Sequence, residues 1–560
     1  MDSPGLGDGT TAAAADISDA AAALVAHRAG IDALVSAVER DAPSATVWPV
    51  ALPPGSRVER VETHISTVLL AGGHALKLKK PVKLPFADFS TPTRREHFCR
   101  EELRVNRRTA PGLYLDVLPL TGTPQAPRVG GGGPAFDWAV WMRRFDAAGL
   151  FDRLAREGRL TAAHVDALAG AVAAFQAAQA ATGATWGDPA QALRWALDTL
   201  AELRALVAQR PGLAPAARPA LAAQIDALQA WTVERHAQIE PLLQRRRAAG
   251  AVIEGHGDLH LGNVVWHEGA PLLFDALEFE PALRHGDRYA DTAFLFMDLL
   301  AHGLPALAWR ALSAWLEHGG DHDGLPLLRW FAAYRALVRA KVALLTGGAQ
   351  ADAAALRLVA LAHGLAFPRR PAVLVVTCGL SGSGKSTVAQ ALVETLGAVR
   401  VRSDVERKRL HGLAPTQRPA DPAVLYNPAS TAQTYARLGE AACAALDGGV
   451  SIVVDAVFNR RDERDTLRRV AAERGLRCVV IACSAPQDVL RERVARRRAE
   501  AMDASDADEG VLELQQRTRE EPVPAEGDIA QLDTACGLEE LRSRVRSLVH
   551  LLAGQVAPGG

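Results

Sequence analysis

The stretch Gly379-Leu380-Ser381-Gly382-Ser383-Gly384-Lys385-Ser386 matches the pattern G-x-x-x-x-G-K-[ST] of a phosphate-binding P-loop at every specified position. Before it, residues 372–377 form an apolar, β-branched run that is typical of a buried parallel strand. After it, residues 387–396 have helical spacing and end at Gly397. The motif requires this context of strand, glycine turn and helix. The sequence therefore predicts a nucleoside triphosphate site in which backbone N–H groups and a helix N-terminus bind phosphate.

The side chains of this loop have separate predicted roles. Lys385 is expected to reach the β- and γ-phosphates and to act in catalysis, and the Ser386 hydroxyl is expected to bind Mg²⁺. The residues predicted to bind the nucleotide are Gly379, Ser381, Gly382, Ser383, Gly384, Lys385, Ser386 and Thr387.

Two further strands after the P-loop end in carboxylates. Residues 398–404 are predicted to be a strand that ends in Asp404, and residues 452–455 a strand that ends in Asp455. The carboxyl ends of strands in a doubly wound sheet face the ligand crevice. Asp404 is therefore a candidate base for an acceptor hydroxyl or a metal partner, and Asp455 is a candidate Mg²⁺ ligand. Either carboxylate can instead be only a helix cap.

An arginine-rich helix follows a fourth predicted strand, residues 478–483. Arg493 and Arg497 are four residues apart, so they share one helical face. The helix resembles the arginine helix that closes as a lid over the transferring phosphate in small P-loop kinases. The resemblance implies that both arginines bind the nucleotide, and the acidic run 503–509 suits a mobile lid loop. A solvated or RNA-facing basic helix is the competing interpretation.

A second chemical motif lies in the first half of the chain. His256-Gly257-Asp258-Leu259-His260-Leu261-Gly262-Asn263 has the spacing H-x-D-x-x-x-x-N of a kinase catalytic loop. In that chemistry Asp258 accepts the proton of a substrate hydroxyl, while Asn263 and the later Asp275 bind the metal between the nucleotide phosphates.

Upstream residues complete the pattern. Residues 74–79 alternate as a strand in which Lys77 and Lys79 share one face, and a helix over 93–108 follows. Lys77 and Glu102 are the right types for the lysine–glutamate pair that holds the nucleotide phosphates.

These two halves resemble known families. The loop 256–263, together with Thr63-His64-Ile65-Ser66 and Leu76-Lys77-Leu78-Lys79-Lys80-Pro81-Val82, resembles a bacterial fusion of an aminoglycoside-phosphotransferase-like domain with a P-loop domain. The resemblance implies a protein-kinase-like, two-lobed first domain. Residues 371–550 are similar to small P-loop kinases of the gluconate, adenylylsulfate and zeta-toxin type.

Two departures from the kinase pattern concern nucleotide binding. No G-x-G-x-x-G loop precedes Lys77, and residues 63–67 stand in its place. Asp275 is followed by Ala276-Leu277-Glu278 rather than by Phe-Gly.

Composition limits the class of protein. Of 560 residues, 49% are hydrophobic and 23% charged. The net charge is −1, so the overall charge does not favour a nucleic-acid or membrane partner. Six cysteines without C-x-x-C spacing are typical of a reduced, cytoplasmic protein, and no basic, apolar leader opens the sequence. We expect an N-terminal tail and helix over 1–45, a kinase-like domain over 46–366 and a P-loop domain over 371–553.

The sequence therefore predicts a multidomain protein of the α+β and α/β classes, with a doubly wound parallel sheet in its P-loop domain. We expect an ATP- and Mg²⁺-dependent phosphotransferase with two nucleotide-binding modules and small-molecule hydroxyl acceptors. Two alternatives stay open. One is a P-loop kinase or ATPase that is regulated by a non-catalytic kinase-like domain. The other is a nucleic-acid end kinase.

Overall fold

The structure is a computed structural model that describes residues 9–40, 47–53, 55–84, 87–210, 217–418, 424–500, 504–505 and 509–554. The chain divides into two compact units. One is Met1–Glu157 with Glu254–Gly286, and the other is Gly158–Ile253 with Asp287–Gly560. The predicted domain boundaries stay a prediction, because this division follows compactness rather than sequence order.

Strands occur in three parts of the chain, within residues 59–143, 252–287 and 373–533. They are β1 (Glu59–Glu62), β2 (Ser66–Ala71), β3 (His74–Lys79), β4 (Lys83–Leu84), β5 (Ala87–Asp88), β6 (Tyr114–Thr123), β7 (Ala126–Val129), β8 (Asp137–Arg143), β9 (Val252–Glu254), β10 (Val264–His267), β11 (Ala270–Leu273), β12 (His285–Asp287), β13 (Val373–Cys378), β14 (Ala398–Arg402), β15 (Ser451–Asp455), β16 (Arg477–Ser484) and β17 (Asp528–Asp533).

Helices fill most of the remainder. They are α1 (Gly9–Arg40), α2 (Pro92–Asn106), α3 (Phe151–Arg156), α4 (Ala162–Ala177), α5 (Pro189–Gln209), α6 (Ala217–Ala248), α7 (Pro281–Arg284), α8 (Tyr289–Ala301), α9 (Pro305–Gly319), α10 (Leu328–Thr346), α11 (Ala349–Ala366), α12 (Lys385–Leu392), α13 (Ser403–Leu410), α14 (Pro428–Asp447), α15 (Arg461–Ala472), α16 (Gln487–Glu500), α17 (Glu509–Arg517) and α18 (Leu538–Gly554).

The first unit is built on a six-stranded antiparallel sheet in the order β1-β2-β3-β8-β6-β7. Helix α1 packs on one face, where Leu34 meets Leu76 and Leu78 in one apolar cluster. Helix α2 packs on the other, where Cys99 joins a cluster with Val140 and Met142. Because side chains alternate along a strand, the lysines of β3 share the α2 face.

The second unit contains a helical part and a parallel sheet. Helices α8 and α10 contact each other, as do α4 and α9. The sheet has the order β14-β15-β13-β16-β17, and every neighbouring pair is parallel. Strand β13 is therefore central. It consists of four aliphatic residues followed by Thr377 and Cys378, a composition that suits burial on both faces.

Helices cover the parallel sheet as the doubly wound class requires. Helices α12 and α18 contribute Leu392 and Val545 to one apolar cluster with the strands, while α14 and α15 contact β15 and β16. The predicted α/β and α+β fold classes are confirmed. Among the described residues, none of the helices combines the length and apolar character that a bilayer span requires.

Some boundaries of helices and strands that were predicted from the sequence were wrong. Strand β14 ends at Arg402 and helix α13 begins at Ser403, so Asp404 lies in the first turn of a helix rather than at a strand end. Strands β7 and β17 were not predicted at all. The predicted lid loop 503–509 lies largely outside the described residues.

A buried ion pair holds the end of the parallel sheet. Arg464 of α15 and Glu526, just before β17, form two hydrogen bonds of 2.7 and 2.9 Å, and both side chains are almost fully buried. We predict that Glu526→Gln lowers the free energy of unfolding by about 3 kcal/mol, because it leaves a buried guanidinium without a counter-charge. Urea titration of the full chain measures this loss. Glu440→Gln, which breaks an exposed pair with Arg437, should leave the midpoint unchanged, and equal losses in the two variants would refute the assignment.

Candidate functional site

The P-loop follows the central strand β13 and takes a conformation that depends on glycine. Gly379 has a φ of 140°, and its N–H donates to the Val457 carbonyl at 3.1 Å. A Cβ at this position would lie 2.4 Å from the carbonyl oxygen of Cys483. Gly382 and Gly384 also have positive φ values, of 83° and 77°. These three positions require glycine, because L side chains rarely adopt such backbone angles.

Lys385 begins helix α12 and is turned back over the loop. Its Nζ donates to the carbonyl oxygen of Leu380 at 2.8 Å, and the residue is 9% exposed. Burial lowers the pKa of Lys385, while the carboxylate of Asp455 opposes that change. The hydroxyl of Ser383 is buried beside it without a hydrogen-bond partner. The loop therefore presents a buried ammonium and an unsatisfied hydroxyl, both suited to an anionic ligand.

A cavity of about 520 Å³ opens against this loop. Its walls combine loop residues, four arginines and the segment that follows β17. The lining residues are Gly382, Gly384, Thr387, Arg402, Arg493, Arg496, Arg497, Thr534, Cys536, Leu538 and Leu541. Both predicted lid arginines thus share one cavity with three of the predicted P-loop residues.

Arg493 of α16 is fixed directly on the loop. Its Nη1 donates to the Gly382 carbonyl at 3.3 Å and to the Thr534 hydroxyl at 3.0 Å, and its Nη2 donates to the Thr534 carbonyl at 2.7 Å. The Thr534 hydroxyl in turn donates to the carbonyl of Ser383 at 2.9 Å. The end of β17 and the arginine helix are therefore tied to the P-loop by the same threonine.

The two predicted carboxylates occupy the same edge of the sheet. Asp455 ends β15, is 3% exposed, and its Oδ2 has no hydrogen-bond partner, although the Nε of Arg402 lies 3.8 Å away. Burial raises the pKa of Asp404, while the nearby Arg402 and Arg407 oppose that change. Arg407 is itself buried, and its Nη1 donates to the Leu425 carbonyl at 3.0 Å.

One P-loop amide is already bonded by a side chain. The N–H of Ser381 donates to the Oε1 of Gln515 on α17 at 2.9 Å. Leu512 of the same helix packs against Leu380 of the loop and Leu490 of α16. Helices α16 and α17 are thus both docked on the loop.

The first unit brings together Lys77, Glu102 and Asp275. The Nζ of Lys77 lies 2.7 Å from Glu102 Oε1 and 2.5 Å from Asp275 Oδ1. Burial acts to lower the pKa of Lys77, but the carboxylates of Asp275 and Glu102 raise it well above its ordinary value. Asp275 lies two residues after β11, with a left-handed φ of 59°, and its N–H donates to the Tyr114 hydroxyl at 3.1 Å.

Lys79 makes a second ion pair with the same glutamate. Its Nζ lies 2.7 Å from Glu102 Oε2 and also binds Glu278, and the side chains of Lys79 and Glu102 are fully buried. Burial acts to raise the pKa of Glu102, but Lys77 and Lys79 outweigh it and lower the value. Glu278 belongs to the segment Ala276-Leu277-Glu278, which follows Asp275 where kinases have Phe-Gly. Burial raises the pKa of Glu278. Glu278 thus anchors the segment after Asp275 to β3.

Asp258 and Asn263 are also in direct contact. The Asn263 amide nitrogen donates to the backbone oxygen of Asp258 at 2.9 Å and to its carboxylate at 3.1 Å. This loop is joined to the Asp275 segment by the main chain, because the N–H of Phe274 donates to the Asn263 carbonyl at 3.0 Å. His256 Nε2 contacts the Phe274 carbonyl at 3.0 Å. The structure therefore brings the five kinase-like residues into two contacting groups that share one backbone link.

Several residues at these sites were missed in the sequence. They are Glu278 and Asn106 in the first unit, and Arg402, Arg496, Gln515, Thr534 and Cys536 in the second. The Asn106 Oδ1 accepts from the N–H of Ala276, next to Asp275, at 2.7 Å. Arg402 follows Arg400 at strand spacing, which was a usable signal. Thr534 had no such signal in the sequence, because strand β17, which it follows, was not recognised.

Comparison with known proteins agrees with the two-part organisation. Residues 374–522 match a family model described as an AAA domain. The uncharacterized protein Rv2004c of Mycobacterium tuberculosis strain H37Rv is 32% identical over 456 residues, which cover 79% of this chain and 87% of the relative. Protein Mb2027c of Mycobacterium bovis matches equally well. An alignment of this length exceeds either predicted domain, so it extends into both.

Solved structures show fainter likenesses. A gluconokinase from Sinorhizobium meliloti is 26% identical, with 34% of this chain and 97% of that chain covered and a TM-score of 0.24. A choline kinase from Cryptosporidium parvum is 10% identical, with 55% of this chain and 88% of that chain covered and a TM-score of 0.37.

The two lysines of β3, Lys77 and Lys79, should differ in how much each stabilises the first unit. We predict that Lys79→Met lowers the local free energy of opening by about 3 kcal/mol, because Glu278 loses its partner inside the protein. Lys77→Met should cost much less, because Glu102 keeps Lys79 and the Asp275 carboxylate is 40% exposed to water. Hydrogen exchange of the amides in α2 measures both. Equal deprotection in the two variants would contradict this division.

Proposed function

This chain belongs to the same family as the mycobacterial proteins Rv2004c, MT2060 and Mb2027c, and we propose one function for its two modules together. It is a phosphotransferase that passes the γ-phosphate of ATP to hydroxyl groups of small molecules. The observation that carries the proposal is the cavity in which P-loop glycines meet Arg402, Arg493 and Arg497. In each transfer an acceptor oxygen bonds to the γ-phosphorus as the bond to the bridging oxygen of ADP breaks.

In the P-loop module, this chain's own groups supply phosphate binding and charge neutralisation. Backbone N–H groups and Lys385 would bind the β- and γ-phosphates, and the arginines would face the transferring group. Asp404, beside Arg402 and Arg407, is the proposed base for the acceptor proton. The arginines around it favour an acceptor that carries an anionic group.

The donor set of this module fits Mg²⁺. Mg²⁺ is usually held by one or two protein oxygens together with substrate phosphates and water, rather than by a cage of side chains. The hydroxyl of Ser386 and the unbonded Oδ2 of Asp455 are such oxygens. Within the described ranges no cluster of three or more His, Cys, Asp or Glu side chains suits a metal, which agrees with a metal shared with substrate. Bound there, Mg²⁺ would neutralise phosphate charge.

In the first module, Asp258 is the proposed base and Asn263 the residue that orients it. Asp258 has a carboxylate that is 42% exposed, so an acceptor hydroxyl can reach it. Lys77 is the proposed phosphate-binding lysine, held by Glu102. Asn263 and Asp275 supply the amide and carboxylate oxygens that would hold a second Mg²⁺.

A second candidate function is a P-loop kinase or ATPase that is regulated by a non-catalytic first module. The ion pair between Glu278 and Lys79 favours this second candidate, because it fixes the segment after Asp275, where kinases have Phe-Gly. The match to an AAA domain is compatible with ATP hydrolysis as well as transfer. A nucleic-acid end kinase is a third candidate, favoured only by the arginine-lined cavity.

We predict that Lys385→Ala and Asp258→Asn abolish different transfers. With γ-labelled ATP, the full chain should label acceptors among sugars, nucleosides, aminoglycosides and polyols. Lys385→Ala should lower one set of transfers by about 100-fold or more, because it removes the ammonium from the phosphates. Asp258→Asn should lower the other set by about 100-fold or more, because it removes the general base.

Matched controls are available on the surface. Lys341→Ala and Asp226→Asn remove exposed or half-exposed ion pairs far from both sets in sequence and should leave all transfers intact. If Asp258→Asn changes nothing while Lys385→Ala abolishes transfer, the regulated-kinase candidate replaces the proposal. If no acceptor is labelled and only slow hydrolysis of ATP occurs, the chain is an ATPase and the phosphotransferase proposal fails.

A further inference from the structure

Glu317, near the end of helix α9, connects the helical part of the second unit to the P-loop. Its Oε2 accepts from Arg400 Nη2 at 2.8 Å, and its Oε1 accepts from Arg402 Nη1 at 3.0 Å. Both arginines belong to β14 and share one face of the strand. Burial acts to raise the pKa of Glu317, but Arg400 and Arg402 outweigh it and lower the value. One carboxylate therefore holds two guanidinium groups.

Each of these arginines also lies close to a residue of the proposed Mg²⁺ site. Arg400 Nη1 donates to the backbone carbonyl of Ser386 at 3.3 Å. The Nε of Arg402 lies 3.8 Å from the unbonded Oδ2 of Asp455, and Arg402 also lines the cavity. The register of the sheet places Arg402 directly beside Asp455. Glu317 is thus one side chain away from both proposed metal ligands.

The charges around Asp455 indicate what Glu317 does. Asp455 is a buried carboxylate with an unsatisfied oxygen, so it attracts any guanidinium within reach. Arg402 is within reach, and its bond to Glu317 draws the guanidinium away from Asp455. Without that bond, Arg402 would close on Asp455 and neutralise the oxygen that Mg²⁺ needs.

We propose that Glu317 is a positioning residue of the P-loop site, which holds Arg402 off Asp455 and so sets the affinity for Mg²⁺-nucleotide. The inference rests on the proposed nucleotide site in the cavity. It makes a helix from outside the P-loop domain, within the range 46–366, part of the control of that site.

The rest of the contact between α9 and the sheet explains why Glu317 is well placed. The N–H of Arg400 donates to Ser313 Oγ at 3.0 Å, and Arg409 Nη2 donates to the Glu317 carbonyl at 2.6 Å. A second ion pair, between Arg310 and Glu394 at 2.6 Å, joins the same helix to the segment after α12. Glu394 lines no part of the cavity and is 24% exposed, against 22% for Glu317, so it is a matched control.

Cys536 gives a readout confined to this site. It lines the cavity and is partly exposed, so bound nucleotide should protect its thiol from alkylation. With the full chain, Mg²⁺ and a non-hydrolysable ATP analogue, peptide mass spectrometry gives the concentration for half-protection of Cys536. The partly exposed Cys443 and Cys478 lie outside the cavity lining and serve as internal references.

We expect Glu317→Gln to raise the half-protecting concentration about tenfold, the usual effect of losing a charge-assisted hydrogen bond. Glu394→Gln should leave it unchanged. In an Arg402→Gln background, Glu317→Gln should add much less than tenfold, because the residue through which it acts is gone. Glu317→Asp keeps the charge and should recover part of the affinity.

Three results would overturn the inference. They are an unchanged value in Glu317→Gln, an equal loss in Glu394→Gln, and full additivity with Arg402→Gln. Each would reduce Glu317 to ordinary interface packing and leave the proposed function intact. If the nucleotide fails to protect Cys536 in the wild type, the proposed function of the P-loop module fails, and this inference fails with it.

Discussion

Strand β13 is hydrogen-bonded to a parallel strand on each side, and its last residue precedes the glycine loop. Beyond that residue the chain leaves the sheet as a glycine loop, in which the N–H of Gly379 bonds to Val457 and the N–H of Ser381 bonds to the side chain of Gln515. Because all five strands are parallel, their carboxyl ends meet at this edge. Asp455, Arg402 and Thr534 reach the loop for that reason alone, although they are far apart in sequence.

The first unit depends on a different constraint, which is the balance of buried charge. Two lysines of β3 converge on Glu102, and each also binds one carboxylate from the segment after β11. Removing Lys79 leaves Glu278 without its partner inside the protein, whereas removing Lys77 leaves Glu102 paired with Lys79 and Asp275 partly exposed to water. The kinase-like arrangement of Lys77 and Asp275 is therefore embedded in a larger network that also fixes Glu278.

The parts of the site that could be predicted from sequence are those whose chemistry lies in contiguous residues. The P-loop, strand β13 and the loop from Asp258 to Asn263 are local patterns, and the structure has them where the sequence indicates. Asp404 was misplaced because β14 passes into α13 without a turn, which hydrophobic spacing cannot show. Thr534 and Glu317 were missed because their position depends on strand pairing and helix docking over long sequence separations.

The proposed function requires that one chain holds two separate nucleotide sites, one on each module. Equilibrium dialysis of the full chain with Mg²⁺ and a labelled, non-hydrolysable ATP analogue tests it most directly. We expect two bound nucleotides per chain in the wild type and one in Lys385→Ala. A wild type that binds a single nucleotide, lost entirely in Lys385→Ala, would contradict it, because the first module would then bind none.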